Sequence, residues 1–305
     1  MKVLFIETVH SLLKEQLENK GFICETAYNK KRNEIKKIIH QYEGIIIRSK
    51  FNIDKEFIDH ADKLKFIARA GSGMENINVK YAESKKIKCY NAAEGNSQAV
   101  AEHALGLLLC LFNNINKSHS EITKGKWVRE ENRGIEISGK NIGIIGYGNT
   151  GKAFAKIMEG FGVNILVYDK YLTEYRYKST MQEIYENIDI LSLHIPLNKE
   201  NKYLINDDVI KKFHKPFYLI NTSRGKCVNT KSVVDGLKSG KIHGVCLDVI
   251  EYEEPSFLQI NKTSKELNYL INSNKTLLTS HIAGWTKESN IKIAKILLEK
   301  IINNK

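Results

Sequence analysis

The sequence predicts an α/β protein of two domains, each built around a parallel β-sheet. Short β-type runs alternate with amphipathic helical segments along the chain, which is typical of parallel strands joined by crossover helices. One long apolar helix divides this alternation into two series. The length of 305 residues also favours two domains, because single hydrophobic cores stop growing at about 250–300 residues.

The first series of strands lies before residue 97. Its β-type runs read VLFIE, CET, GIIIR, KFIARA and IKCYN, with helical patterns between them. The apolar segment 97–114 follows and is predicted to be the long helix that joins the two series.

The second series begins after this helix. Its runs read NIGIIG, NILVYD, DILSLH, PFYLIN, GVCLDV and TLLTSH. Segment 287–302 closes the chain and is predicted to be a helix, because its apolar residues recur at helical spacing. These residues are Ile291, Ala294, Leu297, Leu298 and Ile301.

Composition excludes several classes of protein. The five cysteines stand singly, without a C-x-x-C pair, so we expect neither disulfides nor a metal site. No signal-peptide core or membrane span is evident, which predicts a cytoplasmic protein without a membrane partner. The net charge of +12 comes from lysines spread along the chain rather than one basic stripe, so no nucleic-acid partner is expected.

A glycine-rich stretch, IGIIGYGNTG, follows an apolar strand and opens a helical pattern. In this context G-x-G-x-x-G predicts a dinucleotide site. Gly146 permits a tight turn, Gly148 lets the backbone approach a pyrophosphate, and Gly151 lets helix and strand pack closely. Asn149 and Thr150 lie at the helix start, where N–H groups and the helix dipole favour phosphate.

Asp169 ends the next strand, eighteen residues after Gly151. At this position a carboxylate accepts hydrogen bonds from the adenosine ribose hydroxyls and repels a 2′-phosphate. The predicted cofactor is therefore NAD rather than NADP, a preference that the neighbouring Lys170 weakens.

Polar residues close the later strands of the second series. Ligands of open parallel sheets bind beyond the carboxyl ends of the strands, so these residues are candidates for chemistry. Transfer of a hydride from a secondary alcohol needs a base, a fixed cation and a carboxylate that orients the base. His281, Arg224 and a glutamate of DVIEYEEP supply these groups. The strand-end residues, which are also predicted to contact the cofactor, are His194, Pro196, Thr222, Ser223, Arg224, Asp248 and His281.

Several segments together resemble the D-isomer-specific 2-hydroxyacid dehydrogenase family, and are closest to its short phosphoglycerate dehydrogenases. They are NTSRG, LDVIEYEEP, SHIAGWT, ARAGSGMENI and AAEGNSQAVAEHALGLLL. The resemblance implies two parallel-sheet α/β domains that are both Rossmann-like or flavodoxin-like. It assigns 1–97 and 285–305 to a substrate-binding domain and 98–284 to an inserted NAD-binding domain, with a homodimer formed largely through the latter. No appended regulatory domain is expected.

The resemblance also implies the roles of site residues. Arg224, Glu253 and His281 would be catalytic, with His281 as the acid/base, and Gly284 would lie near the cofactor. DVIEYEEP has one residue more than the family pattern, so counting back from Pro255 selects Glu254 instead. We favour Glu253, because the preceding strand determines where the loop begins. The segment between Pro255 and His281 is also longer than is usual for the family.

Substrate-binding residues are predicted in the first domain. The resemblance implies that the backbone of Ser72 and Gly73 binds the substrate carboxylate, with Asn96 nearby. Arg48 closes GIIIR and Arg69 lies in IARAGSG, so both are predicted at strand ends of this domain. They would bind a phosphate, although solvated surface charge is the alternative.

Three functions stay open on the sequence alone. The first is NAD-dependent oxidation of D-3-phosphoglycerate to 3-phosphohydroxypyruvate, which begins serine biosynthesis. The second is reduction of hydroxypyruvate or glyoxylate, or another D-2-hydroxyacid dehydrogenase activity. The third, of a different class, is an NAD-sensing binding protein similar to the corepressor branch of this family. The first two require a small 2-hydroxy or 2-oxo acid as the partner, phosphorylated in the first case.

Overall fold

A computed structural model describes residues 1–254 and 264–303 of the chain. Residues 255–263, the first part of the long segment before His281, lie outside this description. The chain divides into two compact units. Unit 1 contains Met1–Ser97, Glu254 and 285–303, and unit 2 contains Gln98–Glu253 and 264–284.

Helices and strands alternate through both units. The strands are β1 (Lys2–Phe5), β2 (Ile23–Thr26), β3 (Gly44–Ile47), β4 (Phe66–Arg69), β5 (Lys88–Tyr90), β6 (Asn141–Ile145), β7 (Asn164–Tyr168), β8 (Ile190–Leu193), β9 (Phe217–Asn221), β10 (Ile242–Leu247) and β11 (Thr276–Leu278). The helices are α1 (Ser11–Asn19), α2 (Arg32–Ile38), α3 (Lys55–Ile58), α4 (Val79–Ser84), α5 (Ser97–Phe112), α6 (Ile115–Ile122), α7 (Asn149–Met158), α8 (Met181–Asn187), α9 (Asp207–Lys212), α10 (Thr230–Ser239), α11 (Lys265–Asn272) and α12 (Lys287–Asn303).

Unit 1 has one parallel sheet with the strand order β2-β1-β3-β4-β5. This order is flavodoxin-like, and it reverses between β1 and β3. Strand β3 is buried along its whole length because both faces of the sheet are covered. Ile45 and Ile47 pack into one hydrophobic cluster, whereas Ile46 packs into a second cluster that includes Leu297 of α12. Buried parallel strands therefore explain the continuous apolar run GIIIR.

Unit 2 has a parallel sheet with the order β7-β6-β8-β9-β10-β11. A further parallel bridge joins Val167 of β7 to Lys178 at the edge of the sheet. When Lys178 is counted as a one-residue third strand, the order becomes that of a Rossmann dinucleotide-binding sheet. The predicted fold class, two parallel-sheet α/β units, is confirmed.

The long helix α5 ends earlier than the sequence analysis predicts. It stops at Phe112 rather than at residue 114, and α6 begins at Ile115. The cause is Asn114, whose φ of +52° lies in the left-handed region and therefore interrupts the helix. Helix α12 runs one residue beyond its predicted end, to Asn303.

Two further observations concern the described residues as a whole. Residues 1–254 and 264–303 contain no helix with both the length and the apolarity needed to cross a membrane. None of the cysteines forms a disulfide in this part of the chain.

Candidate active site

The glycine-rich loop connects β6 to α7 in unit 2. Gly146 has a φ of +94°, and a Cβ at this position would collide with the carbonyl oxygen of His194. A Cβ at Gly151 would in turn collide with the carbonyl oxygen of Gly146. Backbone packing thus requires glycine at both positions.

Gly148 differs from these two glycines, because an added Cβ would have no atom within 4 Å. It is the N-cap of α7, and no side chain caps the helix there. Helix α7 begins at Asn149 and continues through Thr150. Uncapped N–H groups beside open space suit a phosphate, because the helix dipole adds positive charge at this end. The loop therefore fits the pyrophosphate of a dinucleotide.

Asp169 follows β7 and lies against the glycine-rich loop. Its Oδ2 accepts a hydrogen bond from the backbone N–H of Tyr147, at 2.7 Å, and its Oδ1 accepts one from Tyr171, at 2.8 Å. The neighbouring Lys170 forms an exposed ion pair with Glu200, at 2.6 Å. From the sequence, Lys170 is expected to weaken the preference for NAD over NADP. In the structure its charge is paired with the carboxylate of Glu200.

His194 and Thr222 follow the neighbouring strands β8 and β9 and are both buried. His194 Nε2 is hydrogen-bonded to Ser192 Oγ at 2.9 Å. Burial lowers the pKa of His194 to about 3, so the ring is neutral. His194 Nδ1 and Thr222 Oγ1 have no hydrogen-bond partner among the described residues. Unpaired buried polar atoms are rare, and these two fit the presence of a polar ligand.

Pro196 lies close behind His194, and its carbonyl oxygen accepts a hydrogen bond from Asn201 Nδ2 at 2.8 Å. Gly284, the last residue of unit 2, is partly buried.

The turn that carries Arg224 follows β9 and is organised by the buried Asn221. Asn221 Oδ1 accepts hydrogen bonds from the N–H and the hydroxyl of Ser223, at 3.0 and 2.7 Å. Its Nδ2 donates to the carbonyl of Arg224 at 3.0 Å, and Arg224 Nη1 donates to the carbonyl of Ser223 at 2.7 Å. A Cβ at Gly225 would collide with the carbonyl of Ile250. Asn221 is not among the site residues predicted from the sequence, although its polar side chain at the end of a buried strand was the available signal.

The His281 imidazole pairs with a carboxylate. Nδ1 of His281 lies 2.6 Å from Glu253 Oε2, and both side chains are largely buried. Glu253 Oε1 accepts the backbone N–H of Ile250 at 2.6 Å. His281 itself has a φ of +58°, a left-handed conformation that is unfavourable for a residue other than glycine.

Asp248 holds the turn that contains His281. Its buried carboxylate accepts the backbone N–H groups of Ile282 and Ala283, at 2.8 and 2.9 Å, and its carbonyl accepts that of His281 at 2.8 Å. The carboxylate of Asp248 therefore stabilises the turn that contains His281. Its contact with the cofactor stays a prediction.

Two residues missed by the sequence analysis complete this network. The Thr279 hydroxyl donates to Asp248 Oδ1 at 2.6 Å, so His103 Nε2 acts as the donor to Thr279 at 2.9 Å. Burial alone would raise the pKa of Asp248, but the hydrogen bonds from His103, Thr279 and the backbone outweigh it and hold the pKa below its usual range. His103 lies inside the long apolar helix α5, and no local pattern in this helix indicates a hydrogen-bonding role for it.

Unit 1 carries the predicted substrate-binding loop after β4. Ser72 Oγ donates to Asn96 Oδ1 at 2.7 Å, and Asn91 Nδ2 donates to the Ser72 carbonyl at 2.7 Å. A Cβ at Gly71 would collide with Nη1 of Arg69, so the arginine side chain lies directly against the loop. The structure thus brings Ser72 and Asn96 together with Arg69, and Gly73 follows in the same partly buried loop.

Arg48 follows β3 at the same edge of the unit 1 sheet. Glu7 accepts the backbone N–H groups of Arg48, Ser49 and Lys50, at 2.6, 2.8 and 3.0 Å. The partly buried guanidinium of Arg48 lies over the ring of Trp285, 4.2 Å from its centroid. It forms no hydrogen bond or ion pair with any residue in 1–254 or 264–303. Burial lowers the pKa of Arg48, while the nearby Glu7 opposes this effect.

Comparison with known proteins identifies the family. Residues 105–283 match the D-isomer specific 2-hydroxyacid dehydrogenase, NAD binding domain. The chain belongs to the D-isomer-specific 2-hydroxyacid dehydrogenase family. As a member of this family it carries an NAD-binding domain, which contains the glycine-rich loop, Asp169, Arg224 and His281.

Two relatives within the dehydrogenase family bear on the substrate. A D-3-phosphoglycerate dehydrogenase of Archaeoglobus fulgidus is 31% identical over 99% of this chain and 57% of its own length. A hydroxypyruvate reductase of Thermotoga maritima is 32% identical over 93% of this chain and 92% of its own length. Apart from the latter, the chain spans about half the length of the relatives compared.

A solved structure of the same fold is the D-lactate dehydrogenase of Aquifex aeolicus complexed with NAD and lactic acid. It has a TM-score of 0.84 and 24% identity to this chain, and the match covers 100% of this chain and 95% of the solved one. At this identity the comparison supports the fold alone.

Proposed function

We propose that the chain is an NAD-dependent dehydrogenase that oxidises D-3-phosphoglycerate to 3-phosphohydroxypyruvate, the first step of serine biosynthesis. The observation that carries the substrate assignment is Arg48, a partly buried guanidinium without an acceptor among the described residues. Such a cation suits an oxyanion of the substrate, since guanidinium and phosphate form charge-assisted hydrogen bonds.

The catalytic roles follow from the contacts in unit 2. The glycine-rich loop and Asp169 would hold NAD, which when bound would supply the acceptor for the hydride of the substrate carbon. His281 takes the proton of the substrate hydroxyl on Nε2, because Nδ1 faces Glu253. Glu253 holds the ring in this orientation and stabilises the imidazolium that forms. Arg224 binds the substrate carboxylate and the oxygen that becomes a carbonyl.

Cofactor selection is assigned to Asp169, whose position beside the glycine-rich loop suits a ribose. A 2′-phosphate at that position would meet the carboxylate, so we propose a preference for NAD over NADP.

The remaining substrate contacts are assigned to unit 1. The backbone N–H groups of Ser72 and Gly73 would bind the substrate carboxylate, and Asn96 holds Ser72 in place. Arg69 would join Arg48 at the phosphate, since Arg48 follows β3 and Arg69 ends the neighbouring strand β4.

Reduction of hydroxypyruvate or glyoxylate is the second candidate. The similarity to the Thermotoga maritima hydroxypyruvate reductase favours this candidate, because the match covers 92% of the length of that reductase. This reaction would use the same catalytic residues, and its substrates differ in the group attached to C2. An NAD-sensing binding protein without turnover is the third candidate.

We further propose a cytoplasmic homodimer formed through unit 2. Helix α6 exposes Ile115 and Ile122, with 55% and 52% of their surfaces accessible, and Trp127 follows with 86% accessible. Large apolar side chains exposed along one segment favour a protein–protein interface there.

A kinetic panel tests the proposal. kcat/KM is measured with NAD and D-3-phosphoglycerate, D-glycerate or D-lactate, and in the reverse direction with NADH and hydroxypyruvate. We expect D-3-phosphoglycerate to exceed D-glycerate at least tenfold. A higher value for the non-phosphorylated acids would replace this function by the second candidate, and no turnover of any acid would favour the third.

A further inference from the structure

Trp285 has no role in the proposed reaction, yet its position is unusual for a tryptophan. It lies two residues before α12 in unit 1, and 63% of its surface is exposed. Its ring nevertheless lies 4.2 Å from the guanidinium carbon of Arg48, which is a close cation–π contact. An exposed indole that packs on a partly buried cation is a feature of a binding site rather than of a core.

The contact with the indole leaves the donors of Arg48 available. The guanidinium has five N–H donors, and none of them is hydrogen-bonded to a residue of 1–254 or 264–303. Glu7, the nearby carboxylate, accepts three backbone N–H groups instead of bonding to the guanidinium. The backbone of Arg48 is thus held by Glu7, and its side chain by Trp285.

We propose that Trp285 is a specificity-determining residue that holds the Arg48 guanidinium with its N–H edge available to the phosphate of a substrate. The choice of substrate rests on the proposed function, whereas binding of an oxyanion to the Arg48–Trp285 pair does not. Loss of the indole would let the arginine side chain sample other rotamers, and each bond to the oxyanion would then carry a larger entropic cost.

The kinetic test compares Trp285→Leu with Trp285→Phe. The measured quantity is the ratio of kcat/KM for D-3-phosphoglycerate to that for D-glycerate. We expect the ratio to fall about three- to tenfold in Trp285→Leu, while Trp285→Phe retains most of it because phenylalanine keeps an aromatic face. Equal losses on both substrates would indicate a structural role and overturn the inference, as would an unchanged ratio in Trp285→Leu.

A binding test separates this inference from the proposed function. The chain has two tryptophans, so Trp127→Phe leaves Trp285 as the single indole. In this variant, titration with inorganic phosphate should change the Trp285 emission saturably, and potassium chloride of equal ionic strength should not. Adding Arg48→Met should abolish the phosphate response.

The outcomes of the two tests are distinct. A phosphate response that depends on Arg48, in an enzyme that prefers D-glycerate, would support the oxyanion site and reject the proposed substrate. A preference for D-3-phosphoglycerate that is unaffected by Trp285→Leu, without any emission change, would reject the inference alone.

Discussion

Glu253 presents one carboxylate oxygen to Nδ1 of His281 at 2.6 Å and the other to the backbone N–H of Ile250, also at 2.6 Å. An ionised carboxylate only accepts hydrogen bonds, so Nδ1 of His281 carries a proton and Nε2 carries the basic lone pair. The loop backbone thereby restrains Glu253, which in turn orients the imidazole. These contacts suit the proposed role of His281 as a general base.

Replacing Glu253 with Gln should therefore lower kcat. The amide cannot stabilise an imidazolium, and loss of a charge-assisted hydrogen bond of about 1.5–3 kcal/mol predicts a reduction of roughly ten- to a hundredfold. His281→Ala should cost about 10²–10⁴-fold, because it removes the base itself. Steady-state kinetics with saturating NAD measure both effects.

Glu254→Gln is the matched control for Glu253, since it makes the same chemical change one residue away. We expect its kcat to stay within about twofold of the wild-type value, as is usual for substitutions that remove no specific contact. A large loss in Glu254→Gln with normal Glu253→Gln would assign the catalytic carboxylate to Glu254.

The cofactor preference should depend on Asp169. Placing its carboxylate against a 2′-phosphate costs on the order of 2 kcal/mol, so kcat/KM should favour NAD over NADP by roughly thirtyfold. Asp169→Ser should reduce this ratio by about tenfold or more by removing the repulsion. Lys170→Ala is the control and should leave the ratio nearly unchanged, because Lys170 pairs with Glu200. Equal use of both cofactors by the wild type would contradict the prediction.

The hydroxyl of Thr279 should contribute to both stability and activity. Thr279→Val removes the donor to Asp248 and the acceptor for His103, and leaves the buried carboxylate short of a partner. We expect the free energy of unfolding to fall by about 1–3 kcal/mol, and kcat to fall because the His281 turn loosens. Urea unfolding and steady-state kinetics measure the two quantities.

Thr276 provides a matched control on strand β11. Its buried hydroxyl has no hydrogen-bond partner in the described part of the chain, so Thr276→Val removes an unsatisfied polar atom. Stability should stay constant or rise in this variant. A similar decrease in the free energy of unfolding of both variants would contradict this prediction. It would mean that the threonine-to-valine change itself, and not the loss of hydrogen bonds to Asp248 and His103, destabilises the protein.

His194 should make stability depend on pH. Its pKa is about 3 in the folded protein against about 6.5 in an unfolded chain. Below pH 6.5 the unfolded state therefore binds a proton that the folded state does not, and the stabilisation is lost as the pH falls towards 3. Through His194, the free energy of unfolding falls by up to about 1.4 kcal/mol for each pH unit below 6.5.

His194→Gln removes this titration. The free energy of unfolding of the variant, measured in urea between pH 7 and pH 4.5, should decline less steeply with falling pH than that of the wild type. Equal pH dependence of the free energy of unfolding in the variant and the wild type would contradict the prediction. It would mean that His194 binds its proton as readily in the folded protein as in the unfolded chain.

Local pattern determined much of this protein. Apolar runs of strand length between amphipathic helices specify buried parallel strands. Successive side chains of such a strand point to opposite faces of the sheet, and both faces are covered, so every residue of the run is apolar. The glycine spacing at Gly146, Gly148 and Gly151 specifies the loop that opens α7, since the steric need for glycine is local. Polar residues that end consecutive strands can be located by the same reasoning, because parallel strands end at one edge of a sheet.

Tertiary structure alone decided which side chains meet. Counting along the loop favours Glu253 but leaves Glu254 as an alternative, and only the path of the loop places Glu253 on His281. The network of His103, Thr279 and Asp248 joins a helix to two strand ends far apart in the chain. Such contacts depend on the relative positions of elements that no local pattern encodes.

The stacking of Trp285 on Arg48 has the same origin, because the two residues come from opposite ends of the chain and meet only when α12 packs on the sheet that contains β3. Likewise α5 ends at Phe112 because Asn114 adopts a left-handed conformation that helical periodicity does not reveal. The sequence by itself thus determined the elements, their order and the chemistry available at the strand ends. Packing between distant segments decided which of these groups act together, because hydrogen bonds and ring contacts require distances of a few ångströms.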